Sequence, residues 1–216
     1  TKRVAAGTEA VFNAGLDELA QILAPDTIKT HLLNGSPQLA VDVVGDGDLL
    51  LFLHGIGGNR TNWHLQLMEF SDQFTCAALD FRGYGLSQLG DEEVTARVLI
   101  NDILRVQSHF GAEEIRLVGL SYGSWVAASF AHCHPDRVRS LTLSAGSTGL
   151  TLAGPDELVR FKKLRLDPIE AGQTPAAIAS ELVEAISGPN ATDNNKHTLM
   201  ESMRAIPRET YMAALK

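Results

Sequence analysis

The chain has 216 residues, of which 44% are hydrophobic and 20% charged, and its formal net charge is −8. The negative charge excludes a dedicated nucleic-acid binder, whose basic side chains neutralise phosphates, and no apolar run reaches the roughly 18–20 residues that cross a bilayer. The two cysteines, Cys76 and Cys133, are too few for a disulfide framework, which favours a cytoplasmic protein. No cysteine or histidine spacing is typical of a metal site. We therefore predict no metal, no cofactor, and neither nucleic acid nor membrane as partner.

An amphipathic helix is predicted near the start of the chain, over residues 8–24. Thr8 can cap its beginning and Pro25 ends it. Residues 1–26 are therefore predicted to form an N-terminal helical extension. The apolar positions that define the helix share one face and are Phe12, Leu16, Leu19 and Leu23.

A β-hairpin is predicted next. Two short runs that alternate between apolar and polar residues lie at 28–33 and 39–44. The segment between them, Asn34-Gly35-Ser36-Pro37, consists of typical turn residues. We expect this hairpin at the edge of a sheet.

Beyond the hairpin, apolar runs alternate with helical segments. Leu49–Leu53 is continuously apolar, which is typical of a strand covered on both faces. Strands separated by helices of about 10–15 residues predict βαβ units and a mostly parallel sheet flanked by helices. Residues 27–149 are therefore assigned to an α/β core. The further strand runs are 75–79, 115–119 and 138–143, and the helical segments are 61–70, 95–110 and 122–134.

The pattern changes again after Ser144. Residues 145–154 are rich in glycine, serine and threonine, and the rest of the chain has helical periodicity without strand patterns. We predict that residues 150–216 form a helical cap over the core. Its helices are predicted at about 155–165, 175–187, 194–205 and 207–216.

The strongest local motif is Gly119-Leu120-Ser121-Tyr122-Gly123, which has the G-x-S-x-G pattern of a nucleophile elbow. It follows a predicted strand and precedes a predicted helix, as such an elbow requires. A serine on so tight a turn is pushed above the sheet edge, and Gly119 and Gly123 avoid clashes with the neighbouring backbone. We therefore predict Ser121 as a catalytic nucleophile at the start of a helix, where partial positive charge favours an oxyanion.

A second motif, His54-Gly55-Ile56-Gly57-Gly58, follows the first buried strand. Its glycines, Gly55 among them, allow a sharp turn that leaves backbone N–H groups pointing to the site above the strand ends. The N–H of Ile56 and the N–H of Tyr122 would make a two-donor oxyanion hole. His54 is interpreted as a structural brace of this loop rather than as a general base.

The glycines of this second motif do not fit the patterns of nucleotide-binding sites. The segment does not fit the G-x-G-x-x-G pattern of dinucleotide sites, and Asp80 is followed by Arg82 and Gly83 rather than by the context that a ribose-binding acid needs. The chain has no Gly-Lys-Ser/Thr, so a P-loop is excluded as well.

The two motifs and a third, Asp80-Phe81-Arg82-Gly83-Tyr84-Gly85-Leu86-Ser87, occur in order after three successive strands. In this the chain resembles the α/β-hydrolase superfamily, in particular its small esterase, lactonase and C–C hydrolase branches, from about residue 27 onward. The resemblance implies Ser121 as nucleophile and the amides of Ile56 and Tyr122 as oxyanion donors. It also implies that Asp80 and Arg82 brace loops. Ser124 departs from the family, in which many members have glycine.

The rest of a catalytic triad is not identifiable. A serine needs a base to take its proton and a third group to orient that base. The acid and the histidine should follow the serine, yet residues 144–149 contain no carboxylate. His132 and His134 fall about 16–20 Å from Ser121 along the helix, and His197 is interpreted as a solvated cap residue. We expect both groups on C-terminal strands that are absent from this chain, carried by a separate C-terminal fragment or by a longer form of it.

The cap's first helix is basic in an acidic chain, through Arg160, Lys162, Lys163 and Arg165. A helix of this kind either attracts a carboxylate substrate or is a solvated charged face, and we favour the solvated face.

The leading interpretation is a serine hydrolase that cleaves a small ester, lactone, amide or vinylogous diketone through an acyl-enzyme on Ser121. The expected partner is thus a small-molecule carbonyl substrate. Two alternatives stay open: a non-catalytic binding protein that keeps the scaffold without the triad, and an acyltransferase that delivers the acyl group to an acceptor other than water.

Overall fold

The computed structural model describes residues 27–146 and 153–216. The helix predicted over residues 8–24 lies outside these ranges. A six-stranded sheet forms the centre of the described molecule. Its strands are β1 (Lys29–Leu33), β2 (Leu39–Val44), β3 (Asp48–Leu53), β4 (Phe74–Leu79), β5 (Ile115–Leu120) and β6 (Val138–Ser144).

The sheet is mostly parallel, as predicted. Its strand order is β1-β2-β4-β3-β5-β6. β3 pairs in parallel with β4 and β5, and β5 pairs in parallel with β6. β1 and β2 form an antiparallel hairpin, and β2 joins β4 in antiparallel orientation. The hairpin predicted at one edge of the sheet is therefore confirmed.

The middle strand, β3, places the sequence motifs at one edge of the sheet. All of Leu49–Leu53 is buried, which confirms a strand covered on both faces. Leu53, its last residue, lies opposite Leu79 of β4 and Gly119 of β5. The chain therefore leaves three neighbouring strands at the same carboxyl edge, and each of the three motifs begins there.

Strand β6 is the outer edge on the other side of the described sheet. Only Val138 is partly buried, and the remaining residues of the strand are exposed. Leu141 and Leu143 are among the exposed apolar side chains. The described sheet therefore ends on an exposed strand that carries apolar side chains.

Three helices pack against the sheet: α1 (His64–Phe70), α2 (Ala96–His109) and α3 (Tyr122–Cys133). α2 begins as predicted, because the Thr95 side chain accepts from the N–H of Val98 at 3.4 Å. α1 is shorter than predicted, and the segment starts with a 3₁₀ turn over Arg60–Trp63. The reason is a capping box in which the side chains of Asn59 and Asn62 hold the first turn.

The described chain after β6 is helical. The first helix runs on past its predicted end to Glu170, with Pro168 in the first turn of its last segment. The helices are α4 (Pro155–Phe161), continued by a π-helical turn (Lys162–Leu166) and one further turn (Asp167–Glu170), then α5 (Pro175–Ile186), α6 (Asp193–Arg204) and α7 (Arg208–Leu215).

Helices α6 and α7 rest on the loops that follow β3 and β4. The Asn62 amide donates to the hydroxyl of Ser202 in α6 at 2.9 Å. The hydroxyl of Thr210 in α7 donates to the carbonyl of Gly83 at 3.1 Å. These helices therefore lie over the carboxyl edge of the sheet. Across 27–146 and 153–216, no helix combines the length and apolar character needed to span a bilayer.

Candidate active site

Ser121 occupies the turn between β5 and α3. Its φ of 51° and ψ of −111° lie in the region that side-chain-bearing residues rarely adopt. Its N–H donates to the carbonyl of Ser144, at the end of β6, at 2.9 Å. Because the neighbouring strand holds this backbone, the strained conformation persists in the folded protein.

The flanking glycines make this turn possible. A Cβ added to Gly119 would collide with the backbone of Gly123, and one added to Gly123 would collide with the carbonyl of Leu53. Both collisions are with backbone atoms, which cannot move aside as a flexible side chain does. The steric reason predicted for the two glycines is thus present in the fold.

Ser124 anchors the start of α3 from below. Its hydroxyl is buried and lies 2.7 Å from the carbonyl of Gly119 and 2.8 Å from that of Ser144. The single hydroxyl proton is available to either carbonyl. The family's glycine is therefore replaced here by a residue that ties the helix to β5 and β6 without opening the packing.

The loop after β3 approaches Ser121 closely. A Cβ placed on Gly55 would lie 3.7 Å from the Cβ of Ser121. Tyr122 is the first residue of α3, where an N–H has no carbonyl one turn earlier to bind. The structure thus brings the backbone of Gly55 and the N-terminus of α3 to the side chain of Ser121.

Hydrogen bonds orient the peptide group between Gly55 and Ile56. The carbonyl of Gly55 accepts from the N–H of Gly58 at 2.9 Å and from the Nδ1–H of His54 at 2.8 Å. In a trans peptide the C=O and the N–H point in opposite directions. Fixing the Gly55 carbonyl therefore fixes the direction of the Ile56 N–H.

His54 is a neutral, fully engaged side chain. The N–H of Phe81 donates to its Nε2 at 3.2 Å, so Nδ1 must hold the proton that goes to Gly55. Burial lowers the pKa of His54, although its bond to Gly55 and the charge of Asp80 oppose that shift. With both nitrogens occupied, His54 acts on the loop as a brace, in line with the interpretation preferred from the sequence.

Tyr84 holds the other side of Ile56. Its hydroxyl donates to the Ile56 carbonyl at 3.1 Å. Burial raises the pKa of Tyr84 well above its ordinary value, so the phenol keeps its proton. Tyr84 belongs to the third sequence motif, which by itself indicated no role for this side chain. Its position two residues after Arg82 in that motif was the only signal.

Asp80 and Arg82 brace loops, as expected. The Asp80 carboxylate accepts from the N–H and the guanidinium of Arg60 at 2.8 and 2.6 Å and from the N–H of Leu86 at 2.9 Å. Arg82 makes two bonds to Asp102 at 2.7 and 2.9 Å. Arg60, which the sequence did not single out, is held at its other nitrogen by the buried Asp42 at 2.8 Å.

The histidines that follow Ser121 do not reach it. His132 and His197 are exposed, on α3 and α6 respectively, and His134 stacks on Phe130 at the far end of α3. Within 27–146 and 153–216, the hydroxyl of Ser121 makes no hydrogen bond to a histidine. In the same ranges, no three histidine, cysteine or acidic residues cluster as metal ligands do.

A family model described as alpha/beta hydrolase fold matches residues 48–175. The chain belongs to the α/β-hydrolase family. The resemblance and the fold class expected from the sequence are thereby confirmed. The matched range includes Ser121, Ile56 and Tyr122 together with the glycines around them.

Comparison with known proteins extends this result. The chain is 32% identical to 2-(acetamidomethylene)succinate hydrolase of Mesorhizobium japonicum, over 58% of this chain and 45% of that protein. It is 34% identical to Epoxide hydrolase 3 of Mus musculus, over 47% of this chain and 28% of that protein. A solved esterase of Thermogutta terrifontis matches with a TM-score of 0.72 and 25% identity, over 88% of this chain and 71% of that one. This α/β-hydrolase chain therefore spans less than half the length of these two curated relatives.

Proposed function

We propose that this α/β-hydrolase is a serine hydrolase in which Ser121 attacks the carbonyl carbon of a small ester, lactone, amide or vinylogous diketone. The observation that carries the proposal is the strained turn of Ser121, between β5 and α3, beside a loop whose Ile56 N–H is held in one direction. A serine at a φ of 51° is costly for the fold, and so is a turn that admits only glycine at both flanking positions. That cost is typical of functional positions.

The geometry supports acyl transfer in two stages. The Ser121 oxygen bonds to the carbonyl carbon, and the carbonyl oxygen becomes an oxyanion that the N–H groups of Ile56 and Tyr122 bind. The hydroxyl proton passes through a general base to the leaving group, which departs as an alcohol, an amine or a protonated carbon. Water then attacks the acyl-enzyme, releases the acid and returns the proton to Ser121.

The relatives support hydrolysis as the reaction class. Those reported above are named as an esterase, a succinate-derivative hydrolase and an epoxide hydrolase. Their substrates differ, so the choice among carbonyl compounds rests on the serine and its oxyanion donors.

We further propose that α4–α7 form a cap over the substrate, because α6 and α7 contact the loops that follow β3 and β4. We also propose that the protein is cytoplasmic, since Cys76 and Cys133 are free thiols.

A fluorophosphonate probe tests the role of Ser121 in the full-length protein. We expect one labelled peptide, containing Ser121, and hydrolysis of p-nitrophenyl acetate. Ser121→Ala should lose both. Ser129→Ala is the matched control, because Ser129 lies in the same helix and only donates to the carbonyl of Trp125. Absence of labelling, or labelling that survives Ser121→Ala, would contradict the proposal.

The same experiment separates the two alternatives. An acyltransferase would label at Ser121 and, with an added alcohol, would form an ester faster than free acid. A binding protein would neither label nor hydrolyse any of the esters.

A further inference from the structure

Arg165 differs from the other basic residues at the start of the C-terminal helices. Arg160, Lys162 and Lys163 are exposed, as the solvated-face interpretation predicts. Arg165 lies in the π-helical turn Lys162–Leu166 and is partly buried. Turns of this kind are rare and are often found at functional sites.

The guanidinium of Arg165 has aromatic neighbours. Its Nη1 donates to the hydroxyl of Tyr211 in α7 at 3.4 Å, and its Cζ lies 5.5 Å from the centre of the Phe161 ring. Tyr211 is completely buried. The charged end of Arg165 therefore points toward the interior of the helical layer.

No carboxylate within the described ranges neutralises Arg165. Two other cations of these helices have carboxylate partners, Lys196 with Glu184 at 2.6 Å and Arg204 with Glu201 at 2.8 Å, and Arg160, Lys162, Lys163 and Arg208 are exposed. A partly buried cation without a counter-ion is costly, because it has lost part of its hydration without gaining a charge partner. A bound anion would remove that cost.

Tyr211 connects Arg165 with the candidate active site. Tyr211 and Tyr84 are buried in the same hydrophobic cluster, and the residues that precede them are bonded, because the Thr210 hydroxyl donates to the Gly83 carbonyl at 3.1 Å. Tyr84 in turn donates to the carbonyl of Ile56 at 3.1 Å. Tyr211 thus neighbours both Arg165 and Tyr84, which holds the loop that follows β3.

We propose that Arg165 binds a carboxylate group of the substrate, distant from the carbonyl that Ser121 attacks. The substrate class is then a half-ester or half-amide of a dicarboxylic acid. A planar guanidinium binds a carboxylate through two parallel hydrogen bonds. Since the Tyr211 hydroxyl accepts from Arg165, its own proton can go to the same carboxylate. This inference rests on the proposed function, from which it takes the reacting carbonyl.

Two esters of nearly the same shape test the proposal in the full-length protein: monoethyl succinate, which has a carboxylate, and ethyl levulinate, which has a neutral acetyl group there. Wild type should prefer the half-ester. Arg165→Met should lower kcat/KM for monoethyl succinate by about 10- to 100-fold, mainly through KM, because a hydrogen bond to a charged group is lost. It should change ethyl levulinate by less than about threefold, on the same reasoning.

Two further variants sharpen the test. Arg165→Lys should retain more activity on the half-ester than Arg165→Met, because lysine keeps the positive charge but not the two parallel N–H donors of the guanidinium. Arg160→Met, which removes an exposed cation nearby, should behave as wild type. Equal losses on both esters in Arg165→Met would show a structural role for Arg165 and overturn the proposal, as would a wild type that hydrolyses both esters with the same kcat/KM.

Thermal stabilisation by succinate separates failure of this proposal from failure of the proposed function. Succinate should raise the Tm of wild type and not that of Arg165→Met, because only a folded state with the site gains from binding. If neither ester is hydrolysed but this difference is seen, the anion site stands and the hydrolase function fails. If esters are hydrolysed and succinate has no such effect, the anion site fails alone.

Discussion

The Nδ1–H of His54 and the carbonyl of Gly55 form a 2.8 Å hydrogen bond that fixes the direction of the N–H of Ile56 in the same peptide group. In the neutral imidazole with its proton on Nδ1, Nε2 also accepts from the N–H of Phe81, and protonation of Nε2 would remove this second bond. A protonated ring would place a second donor against that N–H. The conformation of the loop that follows β3 and the protonation state of His54 are therefore linked.

This link predicts a pH dependence of stability. Burial lowers the pKa of His54 below its ordinary 6.5, so below that pH the unfolded chain binds a proton that the folded chain does not. The free energy of unfolding should therefore fall as the pH decreases from about 6.5, by at most about 1.4 kcal/mol per pH unit from this group. Urea unfolding of wild type and His54→Gln between about pH 7.5 and 5.5 measures the difference. Equal slopes for the two proteins would show that His54 contributes nothing to it.

The conformation of Ser121 predicts a gain of stability where activity is lost. Ser121→Gly should relieve a backbone strain of about 1–3 kcal/mol. Part of this gain, about 0.5–1 kcal/mol, is lost because glycine gives up more conformational entropy on folding. Ser121→Ala removes the same hydroxyl and keeps the strained Cβ. We expect the glycine variant to unfold at higher urea concentration than the alanine variant, and neither to hydrolyse esters. A glycine variant less stable than the alanine variant would contradict the strain.

The elbow should not tolerate a larger residue at Gly123. A Cβ there meets the carbonyl of Leu53, so Gly123→Ala should destabilise the protein by about 1–3 kcal/mol or more. Gly154→Ala is the control, because its φ is −66° and its Cβ would meet nothing within 4 Å. It should stay within about 0.5 kcal/mol of wild type. Urea midpoints give both values, and similar losses in the two variants would refute the steric account.

Arg60 is expected to be essential for the fold around the oxyanion loop. It pairs with Asp42 at 2.8 Å and Asp80 at 2.6 Å, and both carboxylates are almost fully buried. Arg60→Met should cost about 3–5 kcal/mol, because two buried carboxylates lose the guanidinium that lies between them. Arg204→Met, which breaks an exposed pair with Glu201, should cost less than about 1 kcal/mol. Chemical denaturation of both variants tests this, and a small loss for Arg60→Met would show that water replaces the guanidinium.

Local patterns were enough to find most elements. The helical segment predicted over 95–110 became α2, because Leu99, Ile103 and Val106 recur at helical spacing within one element and are all buried there. The start of α1 was harder, since the side chains of Asn59 and Asn62 favour a 3₁₀ turn that no apolar period shows.

The sequence by itself determined that strands alternate with helices and that Ser121 stands on a strand-to-helix turn between two required glycines. These features follow from apolar period and from the small size of glycine, which act over a few residues. Only the tertiary structure decided that β3 lies between β4 and β5, which sets Gly55 beside Ser121.

The partners of the supporting side chains were likewise decided in three dimensions. Arg60 reaches Asp42 and Asp80, and Arg165 reaches Tyr211, across intervals of chain that carry no periodic signal. Strand order and long-range pairing depend on how whole faces of the sheet and its helices pack. The residue types in the sequence show which side chains are able to pair, and the packing of the folded chain determines which pairs form.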